Sequence, residues 1–141
     1  MRNTFATAVI DTGPLVALFD RSDRHHQKVK TFLKDYSGKL ITSLSIITEV
    51  THLLDFNIEA QVDFLKWIHA GAISVYEITE LQFDRIIDLM TKYSDRPMDF
   101  ADATLIIIAE EVNIKKVISL DNDFSIYRIK GKSKFENLLL H

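Results

Sequence analysis

The feature that most constrains the fold of this chain is the alternation of short apolar runs with longer segments of helical periodicity. The run at residues 7–10 is followed directly by Asp11, and the run at residues 116–120 is followed directly by Asp121. Strands that alternate with helices predict a parallel sheet covered by helices on both faces. In such sheets ligands bind beyond the carboxyl ends of the strands. We therefore expect both aspartates at a ligand-binding edge.

The same patterns predict the remaining elements. A helix is expected to begin at Pro14 after the turn Thr12-Gly13, and Ser45 and Asn57 are expected to cap two consecutive helices. Thr79 and Gln82 have the spacing of a capping box. Further helices are predicted at 26–36 and 99–112, and further strands at 40–42, 72–78 and 135–140.

Composition limits the class of protein. The chain has 141 residues, of which 47% are hydrophobic and 26% charged, and this predicts one domain over residues 1–141. It contains no Cys, which excludes a disulfide scaffold, a Cys-ligated zinc site and a Cys nucleophile. The longest wholly apolar run, 105–109, is too short for a membrane span, and the N-terminus lacks a secretory pattern. We expect a cytoplasmic protein with no membrane contact.

Charge is distributed unevenly along the chain. The net charge is −3, but residues 40–112 carry 13 acids and 4 bases. Residues 21–39 and 113–134 each carry 6 bases against 2 acids. The two basic blocks are interpreted either as solvated helix faces and an exposed tail, or as basic rims around an acidic centre.

Three candidate acids follow strands. Asp11 precedes a helix, so an ordinary helix N-cap is the alternative to a strand-end site. Asp121 and Asp123 follow the strand at 116–120, and their structural alternative is an Asx-turn.

Three more candidate acids lie on helices. Glu49 falls on or beside the apolar stripe of its helix, where a charge needs a partner, and a salt bridge to a basic residue is the alternative. Asp99 and Asp102 are spaced i, i+3 at the start of a helix that is apolar nearly all round. They could serve only as a cap and as a complement to the helix dipole.

A shared site explains these acids more simply than unrelated structural uses. Carboxylates placed close together repel one another unless a cation neutralises them. Oxygen ligands select a hard divalent ion, and Mg²⁺ or Mn²⁺ is favoured over Ca²⁺ because no complete calcium-loop pattern is present. The sequence therefore predicts an acidic site for Mg²⁺ or Mn²⁺.

Four segments together resemble the PIN-domain nucleases, and among them the small single-domain toxins of VapC type. The segments are residues 8–20, 47–50, 98–105 and 117–124. The resemblance implies a three-layer α/β/α sandwich with a central, mostly parallel sheet of four to five strands. It also implies a metal-dependent ribonuclease, a small antitoxin that occludes the acidic groove, and a homodimer.

The resemblance also assigns roles to residues. The catalytic acids would be Asp11, Glu49, Asp102 and Asp121, and the metal ligands would be these four with Asp99 and Asp123 as helpers. Ser119 would supply a local hydrogen-bonding hydroxyl. The two basic blocks, rather than the resemblance, suggest a further hypothesis, in which basic rims hold the RNA backbone through Arg24, Lys28, Arg128 and Lys130.

Four rival functions remain to be weighed. Asp11-Thr12-Gly13 also looks like an aspartic-protease signature, but those proteins are mainly β. A phosphatase with an Asp nucleophile would need a second Asp at position 13, which is Gly. A DNA-directed or processing nuclease of the same fold, and a catalytically silent PIN-like binding module, are the closer alternatives.

Overall fold

A computed structural model describes residues 6–96 and 98–140. In the first half of the chain, β1 (Thr7–Ile10) leads into α1 (Thr12–Phe19) and α2 (His26–Asp35), and β2 (Lys39–Ser43) leads into α3 (Leu44–Leu53) and α4 (Ile58–His69). In the second half, β3 (Ser74–Tyr76) precedes α5 (Phe83–Lys92) and α6 (Phe100–Val112), followed by β4 (Lys116–Ile118), β5 (Arg128–Ile129), β6 (Ser133–Lys134) and β7 (Glu136–Asn137). Short 3₁₀ turns lie at Glu80–Gln82 and Asn122–Ser125.

Five strands form one sheet in the order β3-β2-β1-β4-β7, and every neighbouring pair is parallel. Helices flank this sheet in an α/β/α arrangement, which agrees with the expected parallel sheet covered by helices. Strands β5 and β6 form a separate antiparallel hairpin that the sequence analysis did not predict. Because the sheet is parallel, β1 and β4 end side by side, with Val9 opposite Val117.

Burial in the core explains why β1 and α6 are so apolar. Ala8, Val9 and Ile10 of β1 are fully buried, and the middle of α6 is buried on all sides from Ala103 to Ala109. A helix that is apolar all round must be covered by neighbours on every face. Helix α6 therefore fixes its own N-terminus, which carries Asp99 and Asp102, against the edge of the sheet.

Several predicted boundaries were wrong. Ser43, not Ser45, caps α3, because β2 runs directly into the helix and the Ser43 hydroxyl accepts a bond from Ile46 N at 3.3 Å. Helix α1 begins at Thr12 rather than Pro14. Pro14 is tolerated in the first turn because the N–H groups there have no partner within the helix. The strands predicted at 72–78 and 135–140 are shorter in the structure, at Ser74–Tyr76 and Glu136–Asn137, because only these residues pair with a neighbouring strand.

Two predicted caps were confirmed. Asn57 caps α4 through bonds from Glu59 N and Ala60 N, and Thr79 with Gln82 forms the capping box. None of the helices within 6–96 and 98–140 is both long and apolar enough to span a bilayer.

Candidate active site

A cleft of about 680 Å³ opens at the carboxyl edge of the sheet, between the ends of β1 and β4, α3 and the start of α6. All six acids predicted as metal ligands line it, and no Lys, Arg or His is among its lining residues in the part of the chain that the structure describes. The lining is Asp11, Thr12, Gly13, Glu49, Leu53, Asp99, Asp102, Leu120, Asp121, Asn122 and Asp123. Four separate elements thus deliver carboxylates to one space.

Asp11 lies at the floor of the cleft and is only 7% exposed. It stands at the N-cap position of α1, yet its side chain makes no capping bond. Its Oδ2 instead accepts a bond of 2.9 Å from the Ser119 hydroxyl. Burial raises the pKa of Asp11 to about 6, with smaller contributions from the charges of Asp121 and Glu49. The simple N-cap alternative therefore does not describe this side chain.

Glu49 enters the cleft from α3. Its Oε1 accepts a hydrogen bond from the Thr12 hydroxyl, which belongs to the first turn of α1. Among the ion pairs between described residues, none involves Glu49. The salt bridge considered from sequence is absent there, and a neutral hydroxyl orients the carboxylate instead.

Asp99 and Asp102 serve two purposes at the start of α6. Asp99 Oδ1 accepts from Asp102 N at 2.8 Å, and Asp102 Oδ2 accepts from Asp99 N at 3.2 Å, which completes a capping box. Burial raises the pKa of Asp102 well above its ordinary value, and the charges of Asp11 and Asp99 raise it further. The capping alternative is thus real, but it coexists with a place in the cleft.

Asp121 and Asp123 follow β4 in the Asx-turn considered from sequence. Asp121 Oδ1 accepts from Asp123 N at 2.9 Å. Desolvation and the neighbouring Asp121 charge raise the pKa of Asp123, and Arg96, whose Nη1 lies 4.0 Å from Asp123 Oδ1, opposes this rise. The turn leaves both side chains on the lining of the cleft.

Ser119 connects the two strand-end acids. Its hydroxyl donates to Asp11 and accepts from Asp121 N, both at 2.9 Å, and the side chain is fully buried. The prediction that position 119 supplies a local hydrogen-bonding hydroxyl is confirmed.

The donor set fits a hard divalent cation held largely through water. Among the described residues that line the cleft there is no cationic side chain beside buried Asp11 or half-buried Asp102, and both carboxyls have raised pKa values. Within the described residues, however, no three His, Cys, Asp or Glu side chains are grouped closely enough to hold one ion directly. Mg²⁺ typically takes one or two carboxylates and keeps several waters, which suits this spacing.

The predicted basic residues fall in different places. Arg24 is exposed, and its Nε lies 3.1 Å from His25 Nε2. Lys28 is also exposed and lines a groove with Asn122, which borders the acidic cleft as well. The Arg128 guanidinium donates to three carbonyls, those of Ser125, Ile126 and Tyr127.

Lys130 is not brought to the cleft. Its N–H donates to Glu110 at 2.6 Å and its Nζ lies 3.4 Å from Asn113, at the end of α6 opposite Asp99 and Asp102. The assignment of these four bases to RNA contacts stays a prediction, and the geometry favours Lys28 most.

Three residues at the site were missed from sequence. Thr12 holds Glu49, Arg96 lies near Asp123, and Asn137 bonds the backbone of Ser119. Thr12 adjoins Asp11 and could have been suspected. Arg96 and Asn137 carry no local signal, because their partners lie 27 and 18 positions away along the chain.

The fold and the cleft together define a class of protein: an α/β/α domain with an acidic cleft, suited to a divalent cation, at the carboxyl edge of its parallel sheet. Within that class, the chain belongs to the PIN domain family, whose model matches residues 8–130. The match covers the stretches that carry Asp11, Glu49, Asp102 and Asp121.

Individual relatives agree with the family. Ribonuclease VapC26 of Mycobacterium tuberculosis is 25% identical over 130 residues, which cover 90% of this chain and 96% of that protein. The crystal structure of M. tuberculosis VapC20, a sarcin-ricin loop cleaving toxin, matches with a TM-score of 0.77 and 21% identity, over 84% of this chain and 93% of that one. A toxin–antitoxin complex from Klebsiella pneumoniae matches with a TM-score of 0.63 and 20% identity, over 84% and 90%. The two structures show that the fold is shared.

Proposed function

We propose that this protein is an Mg²⁺- or Mn²⁺-dependent endoribonuclease and the toxin of a type II toxin–antitoxin pair. The observation that carries the proposal is the convergence of Asp11, Glu49, Asp102 and Asp121 from four elements on one cleft, whose described lining residues include no Lys, Arg or His. The similarity to a ribonuclease over nearly the whole chain supports RNA as the substrate.

Each carboxylate has a role in this proposal. Asp11, Asp102 and Asp121 would hold the cation directly or through water, and Glu49, oriented by Thr12, would hold a second cation or the attacking water. A bound divalent cation lowers the pKa of a coordinated water and stabilises charge that develops on a phosphate. Asp99 and Asp123 flank the cleft and increase its negative field.

The acidic cleft repels a phosphate backbone until a cation neutralises it, so RNA must be held from outside. Lys28, on the groove next to the cleft, is the best placed of the four predicted bases, and Arg24 is exposed four residues before it. Contacts of this kind are independent of sequence and weaken as salt rises. We place the protein in the cytoplasm, where it would meet its RNA substrate.

An antitoxin would bind the apolar surface of α3, α4 and the loop between them, and would insert Arg or Lys among the carboxylates. Five large hydrophobic side chains are exposed there, and one of them, Leu53, also lines the acidic cleft, so the two surfaces are continuous. The five are Leu53, Phe56, Ile58, Val62 and Leu65. The similarity to a toxin–antitoxin complex supports this partner.

A homodimer would use a second apolar surface. A groove of about 500 Å³ lies between β3 and the starts of α3, α5 and α6, where Leu44, Val75, Phe83 and Phe100 are exposed. Burial of such a surface against a second copy is the ordinary basis of a two-fold dimer.

The test compares RNA and single-stranded DNA cleavage by wild type and Asp102→Asn in Mn²⁺, Mg²⁺ or EDTA. The amide keeps an acceptor for Asp99 N but loses the charge, so the fold should survive while metal-dependent cutting falls at least about 100-fold. Asp55→Asn, an exposed acid between α3 and α4, is the matched control and should cut like wild type.

Other outcomes distinguish the alternatives. Cutting of DNA in preference to RNA would favour a DNA-directed nuclease. Inertness of folded, metal-loaded protein on every substrate would favour a binding module. Cutting that survives Asp102→Asn would contradict the assigned site.

A further inference from the structure

The edge strand β7 supports the site strand β4 in an unusual way. Backbone pairing between them runs from Glu136 N to Lys115 O and from Leu138 N to Val117 O, both at 2.8 Å. The next backbone groups of the site strand belong to buried Ser119, and they are paired by a side chain. Asn137 Oδ1 accepts from Ser119 N at 3.2 Å, and Asn137 Nδ2 donates to Ser119 O at 3.1 Å.

A side-chain amide can replace a peptide group in this pairing. Buried backbone N–H and C=O groups require partners, and a carboxamide offers one donor and one acceptor at the spacing of a peptide group. The same Oδ1 accepts from Leu139 N at 3.1 Å, which fixes the orientation of the amide. Asn137 thus extends the ladder by one residue on the side opposite to Asp11.

Ser119, which Asn137 holds in this way, is itself hydrogen-bonded to two of the acidic residues of the cleft. The Ser119 hydroxyl bonds the Asp11 carboxylate and the Asp121 backbone, each at 2.9 Å. A shift of the Ser119 backbone would therefore change the separation of the Asp11 and Asp121 side chains. Residues that orient metal-binding groups typically alter metal affinity 10- to 100-fold when they are mutated.

We propose that Asn137 is a positioning residue that sets the cation affinity of the cleft by locking Ser119, and through it Asp11 and Asp121. This inference rests on the proposed function, since it assumes that the cleft binds a divalent cation. Asn137 lies outside residues 8–130, the range matched by the family model.

The experiment measures Mn²⁺ binding to the folded chain of 141 residues by electron paramagnetic resonance of free Mn²⁺. Asn137→Ala removes both amide bonds, and Asn137→Asp keeps the size but places an acceptor against Ser119 O. We expect Mn²⁺ affinity to fall about 10-fold or more in both variants, and half-maximal RNA cleavage to require a correspondingly higher Mn²⁺ concentration.

Two controls separate positioning from loss of stability. Glu136→Gln changes the exposed neighbour on the same strand, whose side chain forms a 3.8 Å ion pair with Lys116. Ile86→Val removes a buried methyl group from α5, a helix that contributes no residue to the described lining of the cleft. Both should bind Mn²⁺ within about two-fold of wild type, at a temperature where circular dichroism shows all variants folded.

The outcomes are distinct. Wild type that binds Mn²⁺ while both Asn137 variants bind it equally well would overturn this inference and leave the proposed function intact. Weakening in Ile86→Val as large as in the Asn137 variants would also overturn it, because stability alone would explain the effect. Wild type that binds no Mn²⁺ would overturn the proposed function and this inference together.

Discussion

Replacing Asp11 by Asn should make the metal-free protein more stable at neutral pH. Asp11 is buried, and its pKa is raised from 3.8 to about 6. A folded-state pKa above the unfolded value means that the folded state binds the proton more tightly, so stability falls as pH rises from about 4 to about 6 and stays low above that window.

The magnitude follows from the shift. About two pKa units correspond to about 3 kcal/mol at 1.36 kcal/mol each. The amide oxygen of Asn can still accept the Ser119 bond, but burial of the amide offsets part of the gain. We expect Asp11→Asn to be about 1 to 3 kcal/mol more stable than wild type in EDTA at about pH 8, or roughly 3 to 10 °C in Tm.

The assay is thermal and urea unfolding in EDTA from about pH 4 to pH 8, repeated with excess Mg²⁺. A cation at 100 times its Kd would return about 2.7 kcal/mol to wild type, so the advantage of the variant should shrink or reverse. Asp55→Asn should follow wild type throughout. Lower stability of Asp11→Asn in EDTA at pH 8 would refute the reasoning, because it would show that the buried charge stabilises the fold without metal.

Three further outcomes are expected. Lys28→Gln should weaken RNA binding and reduce the slope of the logarithm of the binding constant against the logarithm of salt concentration by about 1. Lys34→Gln on the same helix should leave this slope unchanged, and equal slopes for the two variants would show that Lys28 does not contact RNA. Glu110→Gln should destabilise the fold by about 1 to 3 kcal/mol in urea unfolding, because Glu110 accepts two bonds from Arg85 and one from Lys130 N, and an unchanged midpoint would contradict this. Tyr127→Phe should be neutral or up to about 1 kcal/mol stabilising, because its buried hydroxyl has no partner among the described residues; a clear loss of stability would reveal one.

Much of the fold was predictable because it is encoded locally. The apolar side chains of the run at 7–10 and of the helix at 99–112 can be buried only if the run is a central strand and the helix is covered on all sides. Caps at Asn57 and Thr79 were identified because a side chain bonds a backbone group two or three residues away. The hairpin of β5 and β6 was missed because its strands are only two residues each, too short for an alternating pattern, although Gly131 at positive φ marks the turn between them.

The candidate site was likewise predictable only in part. The strand-end positions of Asp11 and Asp121 follow from the apolar runs before them, and the parallel sheet then brings them to one edge. The sequence also indicated both uses of Asp99, but it offered them as alternatives, whereas the structure shows the cap and the cleft position together. One carboxylate can do both because capping occupies only one of its oxygens.

The sequence by itself determined which acids are available, and that parallel strands would gather some of them at one edge, because strand period and helix period are local properties of the chain. Only the tertiary structure decided what holds those acids in place. Thr12 reaches Glu49 across 37 positions and Ser119 reaches Asp11 across 108. It also decided that Lys130 lies at the far end of α6. The physical reason is that a side-chain hydrogen bond forms with whichever group the packing of helices on the sheet brings within about 3 Å.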